Sequence, residues 1–260
     1  MGKVWMIASG KGGVGKSTIS AALAVALARH QRRVCVIDAD VGLRSIDLML
    51  GLHDKAVFDL FDVVNGDCKL NDALVAHADY PRLFLLTTSQ AEYPDAMNAD
   101  KFETVLKALR RQFDFVLIDC PAGIGSIVTD AGKLADACIL VVTPDDMSIR
   151  DAERTSAVLF ENKQLELHLV VNRVDKKLIS DSLIMQPQQI ADCIGVPLIG
   201  EIPLNEQVYR ALLCHKTASE TRDRSLTKAI EALALRVEGG QTPFRTYRIR
   251  RKSWLYRVKG

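Results

Sequence analysis

The sequence predicts an α/β protein: a doubly wound, mostly parallel β-sheet flanked by helices on both faces. Short runs rich in Val, Ile and Leu alternate with longer helix-like segments, as in repeated βα units. The short runs are almost continuously apolar, which is typical of parallel strands covered on both sides. A chain of 260 residues with 48% hydrophobic and 25% charged residues can also bury a sizeable core.

The elements follow in order along the chain. The predicted strands are Val4–Ala8, Arg33–Ile37, Leu83–Thr87, Phe115–Ile118, Ala137–Val142, Leu167–Val171 and Leu198–Gly200. The predicted helices are Ser17–Arg29, Lys101–Gln112, Ile149–Lys163, Ser182–Ile194 and Ser225–Val237. The last helix has its apolar residues on one face, and Gly239 and Gly240 then end it. We therefore predict one domain over residues 1–238, a linker over 239–243 and a separate segment over 244–260.

Neither the cysteines nor the histidines show the spacing of a metal site. The six cysteines include no C-x-x-C pair, and the five histidines have no ligand spacing. We interpret the cysteines as small core residues and expect no iron–sulfur site. No apolar run reaches the roughly 18 to 20 residues of a membrane span, and no leader is recognised, so a cytoplasmic protein is expected.

Positive charge is concentrated at the C-terminal end. The chain has 34 Lys and Arg against 32 Asp and Glu, but residues 244–260 hold seven of the cations and no acid. Without that segment, 27 cations face 32 acids, a net charge of −5 against +7 for the segment. The seven cations are Arg245, Arg248, Arg250, Arg251, Lys252, Arg257 and Lys259.

The same segment has apolar side chains at helical spacing. On a helix, five of them fall along one stripe, while most of the cations lie off it. A basic helix with such a stripe is typical of a segment that lies on an anionic membrane, where each Lys or Arg contributes roughly 1 kcal/mol. We therefore predict an amphipathic membrane-binding helix. The stripe consists of Phe244, Tyr247, Trp254, Leu255 and Val258.

Two alternatives for this segment stay open. Seven cations can also bind DNA phosphates without sequence preference, although such binding does not require an apolar stripe. A solvated, disordered basic extension is the structural alternative.

A glycine-rich loop stands between the first strand and the first helix. Residues 10–18 read G-K-G-G-V-G-K-S-T, which fits the phosphate-binding pattern G-x-x-x-x-G-K-[ST] in its required strand–loop–helix context. The glycines let successive backbone N–H groups point at phosphates, and the helix aims its positive dipole end at the same anion. Lys16 is expected between the β and γ phosphates, with the Ser17 hydroxyl on Mg²⁺. The expected phosphate-binding residues are Lys11, Gly12, Gly13, Val14, Gly15, Lys16, Ser17 and Thr18.

Carboxylates follow two of the predicted strands. Asp38 and Asp40 follow the run Val34–Ile37, and Asp119 follows Phe115–Ile118. Ligands bind at the carboxyl ends of strands in open α/β sheets, so these side chains belong with the phosphate loop. Asp119 is a candidate Mg²⁺ ligand through water, and a helix cap is the structural alternative for Asp38.

A third strand ends in an amide. Asn172 follows Leu169–Val171, and its donor and acceptor suit the exocyclic amine and ring nitrogen of adenine. The sequence has no N-K-x-D guanine motif, which favours ATP over GTP. A solvent-facing Asn172 is the alternative.

Three motifs together resemble one family. The spelling K-G-G-V-G-K-[ST] from Lys11 is similar to the deviant phosphate loop of the MinD/ParA family of ATPases, and D-x-P-A-G from Asp119 to Gly123 is similar to its switch II. The spelling G-L-R-x-x-D-L over residues 42–48, together with the basic amphipathic C-terminus, resembles its MinD branch of division-site placement ATPases. The resemblance covers essentially residues 1–260.

The resemblance implies roles for particular residues. In the family, the lysine matching Lys11 reaches the nucleotide of a partner subunit, so hydrolysis depends on an ATP-bound homodimer. Asp40 would orient the attacking water and, with Asp119, hold Mg²⁺ through water, while Asp38 would support the phosphate region. Gly123 would sense the γ-phosphate, Asn172 would contact adenine, and Pro203 would pack beside it.

The resemblance also implies partners. An ATP-bound dimer would bind the anionic inner face of the cell membrane and recruit the septum inhibitor MinC, and a regulator such as MinE would stimulate hydrolysis and release. No specific nucleic acid is expected. The alternatives are a ParA-like partition or other placement ATPase whose basic segment binds DNA, and a cluster-carrier ATPase.

Overall fold

The computed structural model describes residues 1–40, 45–88 and 99–249. In those ranges eight strands form one sheet in the order β3-β4-β2-β5-β1-β6-β7-β8. Every neighbouring pair is parallel except β3 and β4. The strands are β1 Lys3–Ala8, β2 Val34–Asp38, β3 Val75–Ala76, β4 Leu83–Leu86, β5 Phe115–Asp119, β6 Ala137–Val142, β7 Glu166–Val174 and β8 Leu198–Pro203. The predicted fold class is confirmed.

Helices cover both faces of this sheet because successive strand residues point to opposite sides. In β1, Val4 and Met6 join the core under α5, α6, α7 and α9, whereas Trp5 and Ile7 join the core under α1 and α11. The helices are α1 Lys16–Arg29, α2 Ser45–Met49, α3 Leu60–Asn65, α4 Leu70–Ala73, α5 Ala99–Gln112, α6 Ser126–Leu134, α7 Asp146–Leu159, α8 Lys176–Ser180, α9 Pro187–Ile194, α10 Gln207–Leu213 and α11 Arg224–Val237. A 3₁₀ helix spans Ala218–Glu220.

Four of the five predicted helices lie within a few residues of α1, α5, α7 and α11. The fifth, predicted from Ser182 to Ile194, is wrong over residues 182–186. Ser182 has a left-handed φ of +56°, and α9 begins only at Pro187, whose fixed φ suits the first turn of a helix. Sequence reasoning also missed α6, which lies between β5 and β6.

The predicted C-terminal helix does not begin at Phe244. Gly239 has a φ of +91°, and the Gly240 N–H donates to the Leu235 carbonyl at 2.8 Å, so α11 ends as predicted. Residues 241–249 then run without regular secondary structure, which makes the helix prediction wrong over 244–249. Trp254, Leu255 and Val258 lie outside the described residues. The linker at 239–243 stays a prediction.

No helix within the described ranges combines the length and the apolar character that a membrane crossing requires.

Candidate nucleotide-binding site

Three adjacent strands bring the sequence motifs to one edge of the sheet. β5 lies between β2 and β1, and Asp119 pairs in register with Asp38 on one side and Ile7 on the other. The loop after β1 therefore lies beside both carboxylate-bearing strand ends. Strands far apart in sequence thus place the phosphate loop, Asp40 and Asp119 together.

The phosphate loop opens onto an uncapped helix end. Gly13 and Gly15 have φ values of +78° and +95°, in the left-handed region that favours glycine. No side chain caps the N-terminus of α1, and its first turn holds no acidic residue. Its backbone N–H groups and its positive dipole end are therefore available to an anion. This local geometry is suited to a phosphate group.

Lys16 is the buried cation of the loop. Its side chain is 7% exposed, and its ammonium nitrogen lies 3.9 Å from Asp40 Oδ2 and 3.9 Å from Asp119 Oδ2. Two carboxylates from two different strands therefore face one lysine. The group combines one positive and two negative charges where an anionic ligand and a cation can be bound together.

Asp119 has one hydrogen-bonded oxygen, and its other oxygen faces Lys16 without a hydrogen bond. Its Oδ1 accepts a hydrogen bond from the Ser20 hydroxyl at 2.7 Å, but its buried Oδ2 has no hydrogen-bond partner within the described chain. Burial raises the pKa of Asp119, although the charge of Lys16 and the serine hydroxyls oppose that shift. A buried carboxylate oxygen without a hydrogen-bond donor fits Mg²⁺ with its water shell. Sequence reasoning missed Ser20.

Both carboxylate oxygens of Asp38 accept hydrogen bonds from backbone N–H groups. Its Oδ2 accepts the Ile46 N–H at the start of α2 at 3.1 Å, and its Oδ1 accepts the Asp40 N–H at 3.3 Å. Burial and the charge of Asp119 raise the pKa of Asp38 to about 7. This geometry favours the alternative of a helix cap, which ties α2 to the end of β2. Residues 41–44, which include the start of the G-L-R-x-x-D-L spelling, lie outside the described residues.

Lys11 lies at the outer rim of the same loop. Its side chain is 40% exposed, and its ammonium nitrogen lies 3.7 Å from Asp145 Oδ1. Asp145 caps α7 by accepting the Ser148 N–H. Burial raises the pKa of Asp145, but hydrogen bonds from Thr143 and Ser148 and the charge of Lys11 outweigh it and hold that pKa below its usual range.

The loop is also packed tightly against α7. A Cβ on Gly10 would lie 2.4 Å from the Asp151 carbonyl oxygen, so only glycine fits there. On the other side, Gly123 has a φ of +91°, and its N–H donates to the Ser9 carbonyl at 2.8 Å. The predicted switch II residue therefore contacts the strand end from which the phosphate loop starts.

A cavity of about 490 Å³ adjoins the start of α1. Asn172 is buried at its wall, so the solvent-facing alternative is wrong. Its Nδ2 donates to the Val14 carbonyl at 2.8 Å, and its Oδ1 accepts the Arg173 N–H at 2.9 Å. The amide therefore braces the phosphate loop and keeps one N–H and one lone pair for a ligand. Other lining residues are Gly15, Thr18, Ile19, Ile202, Pro203 and Tyr209.

The site has the parts of a P-loop nucleotide-binding protein. These are a phosphate loop at a helix N-terminus, a buried lysine, an aspartate on the adjacent strand and a cavity beside them. A family model described as ParA, NUBPL iron-transfer P-loop NTPase, matches residues 1–238.

Curated relatives specify the branch. The septum site-determining protein MinD of Synechocystis is 34% identical over 262 residues, covering 100% of this chain and 98% of the relative. The corresponding protein of Bacillus subtilis is 33% identical over 261 residues, covering 100% and 97%. The chain belongs to the MinD branch of the ParA family of P-loop NTPases.

Solved structures share the fold. MinD in the MinC:MinD cell division complex of Aquifex aeolicus superimposes with a TM-score of 0.87 at 30% identity, covering 94% of this chain and 99% of that one. MinD of Pyrococcus horikoshii, solved with Mg-ADP, gives a TM-score of 0.80 at 29% identity, covering 92% and 96%.

Proposed function

We propose that this chain is a Mg²⁺-dependent ATPase for cell-division site placement, whose ATP-bound form dimerises, binds the membrane and recruits MinC until hydrolysis releases it. The observation that carries this proposal is the different placement of two lysines in one loop. Lys16 is buried between Asp40 and Asp119, whereas the Lys11 side chain is 40% exposed at the rim. A lysine placed in this way is available to the nucleotide of a second subunit.

The residues of the site fit both ATP and Mg²⁺. The amides at the start of α1 and the Lys16 ammonium would bind the phosphates. Ser17 and, through water, Asp40 and Asp119 would hold Mg²⁺, which when bound neutralises charge on the phosphate oxygens. The Oδ2 of Asp119, which accepts no hydrogen bond within the described chain, supports this assignment. The solved Pyrococcus horikoshii relative contains Mg-ADP.

Hydrolysis needs an oriented water and a further positive charge. Asp40 is partly exposed at the mouth of the site, so its carboxylate can accept a hydrogen bond from an attacking water and orient it. Lys11 of a second subunit would stabilise the charge that develops during phosphoryl transfer, as an arginine finger does. Catalysis would then require the dimer.

The cavity beside Asn172 fits the base. Asn172 keeps one donor and one acceptor, which matches an adenine edge, and Ile202 and Pro203 supply apolar wall. Gly123, through its contact with Ser9, would respond to the γ-phosphate.

Membrane attachment would come from residues 244–260. One basic segment with a short apolar stripe binds lipid only marginally, but two segments in a dimer gain avidity. ATP-driven dimerisation would thereby place the protein at the cytoplasmic face of the cell membrane. The solved complex of the Aquifex aeolicus relative with MinC supports MinC as the partner, and a MinE-type regulator would stimulate release.

The test is sedimentation with phosphatidylglycerol vesicles in the presence of ADP or a non-hydrolysable ATP analogue. We expect the protein to sediment with the vesicles in the ATP analogue but not in ADP. The variant Trp254→Asp should stay in the supernatant while it still binds nucleotide. Ser253→Asp, which adds the same charge at the neighbouring polar position, is the matched control. A DNA-shift assay runs in parallel. Retention of Trp254→Asp on vesicles, or binding to DNA alone, would refute the membrane function.

A further inference from the structure

Residues 242–249 lie against the ATPase body at three separate places. From these contacts we infer that the body carries a docking site for residues 242–249, the start of its own C-terminal segment. Arg236, Glu201 and an apolar groove form this site, and it competes with a lipid surface for the segment. The competition rests on the proposed membrane function, whereas the docking itself does not.

Arg236 forms the first part of the docking site. Its guanidinium carbon lies 3.8 Å from the centroid of the Phe244 ring, which is a close cation–π contact. The same guanidinium donates to the carbonyls of Thr242 and Pro243 at 3.0 and 3.1 Å. It also donates to the Ile199 carbonyl of the edge strand β8 at 2.8 Å. One side chain of α11 therefore ties the segment to the edge of the sheet.

Glu201 forms the second part. It lies on β8 and is buried, and its Oε1 accepts the backbone N–H of Arg245 at 2.7 Å. Its Oε2 accepts the Tyr247 hydroxyl at 3.2 Å, and the Arg245 Nε lies 4.0 Å from Oε1. Within the described residues, the hydrogen bonds to this carboxylate come from the C-terminal segment.

The dependence of Glu201 on hydrogen bonds from the C-terminal segment is the strongest sign that the docking is specific. A buried carboxylate is costly unless it is hydrogen-bonded and paired. Burial raises the pKa of Glu201, and the donors of the segment only partly oppose that shift. The hydrogen bonds from the segment therefore offset part of the cost of burying the Glu201 carboxylate in the edge strand.

An apolar groove forms the third part. Ile249 lines a cavity of about 410 Å³ between the start of α7 and the start of α9. Leu183, at its rim, is 70% exposed, and Ile249 is 52% exposed, so the groove is only partly filled. Its apolar wall consists of Pro144, Ile149, Ile179, Leu183, Ile184 and Met185.

The docked segment contacts residues that are sequence neighbours of the nucleotide site. On β8, Glu201 is followed by Ile202 and Pro203, which line the base cavity. In the groove, Pro144 precedes Asp145, the partner of Lys11. Ring surface of Phe244 and Tyr247 that contacts the body is unavailable to lipid, so docking withholds these two rings from the membrane.

Amide hydrogen exchange of the full chain tests the docking. In Glu201→Gln the Arg245 N–H loses a charged acceptor, so exchange across residues 244–249 should accelerate about tenfold. Leu183→Gln, an exposed change in the groove, should accelerate exchange near Ile249 without unfolding the body. Glu161→Gln, an exposed acid on the body, is the matched control. Unchanged exchange in both test variants would overturn the docking.

Vesicle binding in ADP tests the competition. At subsaturating phosphatidylglycerol vesicles, the bound fraction of Glu201→Gln should rise on the order of threefold over wild type and Glu161→Gln. Faster exchange without added vesicle binding, in a protein that still binds vesicles with an ATP analogue, would overturn the competition. If no form binds vesicles with any nucleotide, the proposed membrane function fails, and exchange alone decides whether the segment docks.

Discussion

The ammonium nitrogen of Lys11 lies 3.7 Å from Asp145 Oδ1, which joins the rim of the phosphate loop to the N-terminus of α7. The two side chains are 40% and 50% exposed, so this ion pair contributes little to stability. Its weakness means that Lys11 can exchange one anionic partner for another at small cost. A phosphate presented by a second subunit is such a partner.

Lys11→Ala should therefore leave ATP binding within a few-fold of wild type and abolish ATP-dependent dimers. Hydrolysis should fall by about 10³-fold or more relative to the stimulated wild type, because the missing cation would act only in the dimer. Light scattering with a non-hydrolysable analogue measures the dimer, and phosphate release measures the rate. Lys3→Ala, an exposed lysine at the other end of β1, is the control. Dimers formed by Lys11→Ala would contradict the role given to Lys11.

Lys16→Ala should abolish nucleotide binding. The change removes the buried cation that faces Asp40 and Asp119, leaving two carboxylates to repel the phosphates. Titration with a fluorescent ATP analogue measures the loss, and the melting temperature shows whether the variant is folded. Tight ATP binding by a folded Lys16→Ala protein would refute the assignment of the loop.

The phosphate loop and Asp119 could be predicted because their signals are local: a fixed spacing of glycines and lysine, and a carboxylate at the end of an apolar run. Family resemblance then pointed to Lys11. The bracing bond from Asn172 to the Val14 carbonyl and the bond from Ser20 to Asp119 join residues 158 and 99 positions apart. Such contacts depend on strand order, which no local pattern encodes.

In the C-terminal segment a local pattern predicted a helix that tertiary contacts override. Helical spacing predicts which side chains would share a face of a helix, but it takes no account of partners elsewhere in the fold. Glu201 and Arg236 bind the backbone and rings of residues 242–247, and these tertiary contacts hold that part in a non-helical path. The break at Ser182 has a local cause instead, because a left-handed residue and Pro187 further along divide an otherwise helical pattern.

Gly15→Ala should destabilise the protein as well as the site. The φ of Gly15 is +95°, and a Cβ there would lie 2.3 Å from Asn172 Nδ2, which braces the loop. The expected loss is about 1 to 3 kcal/mol in the free energy of unfolding, a fall of roughly 3–10 °C in melting temperature. Gly13→Ala is the matched control, since its φ of +78° is also left-handed but a Cβ there meets nothing within 4 Å. Equal melting temperatures for the two variants would show that the contact with Asn172 is absent.

His30 should make stability depend on pH, because it joins the end of α1 to α11 through two carboxylates. Its Nδ1 and Nε2 lie 2.7 Å from Glu238 Oε2 and 2.7 Å from Glu231 Oε2. Burial lowers the pKa of His30, but the two glutamates outweigh it and raise the pKa above the usual 6.5. A raised folded-state pKa means that the stabilisation is complete below about pH 6.5 and is lost as pH rises through the folded value.

His30→Gln should therefore lower the melting temperature at pH 6 by an amount that corresponds to about 1 kcal/mol, and by less at pH 8.5. Thermal unfolding of the nucleotide-free protein across this range measures the difference. His53→Gln, an exposed histidine outside this cluster, is the control and should show no such trend. A His30→Gln deficit that stays constant or grows between pH 6 and pH 8.5 would contradict a charged His30 between the two glutamates.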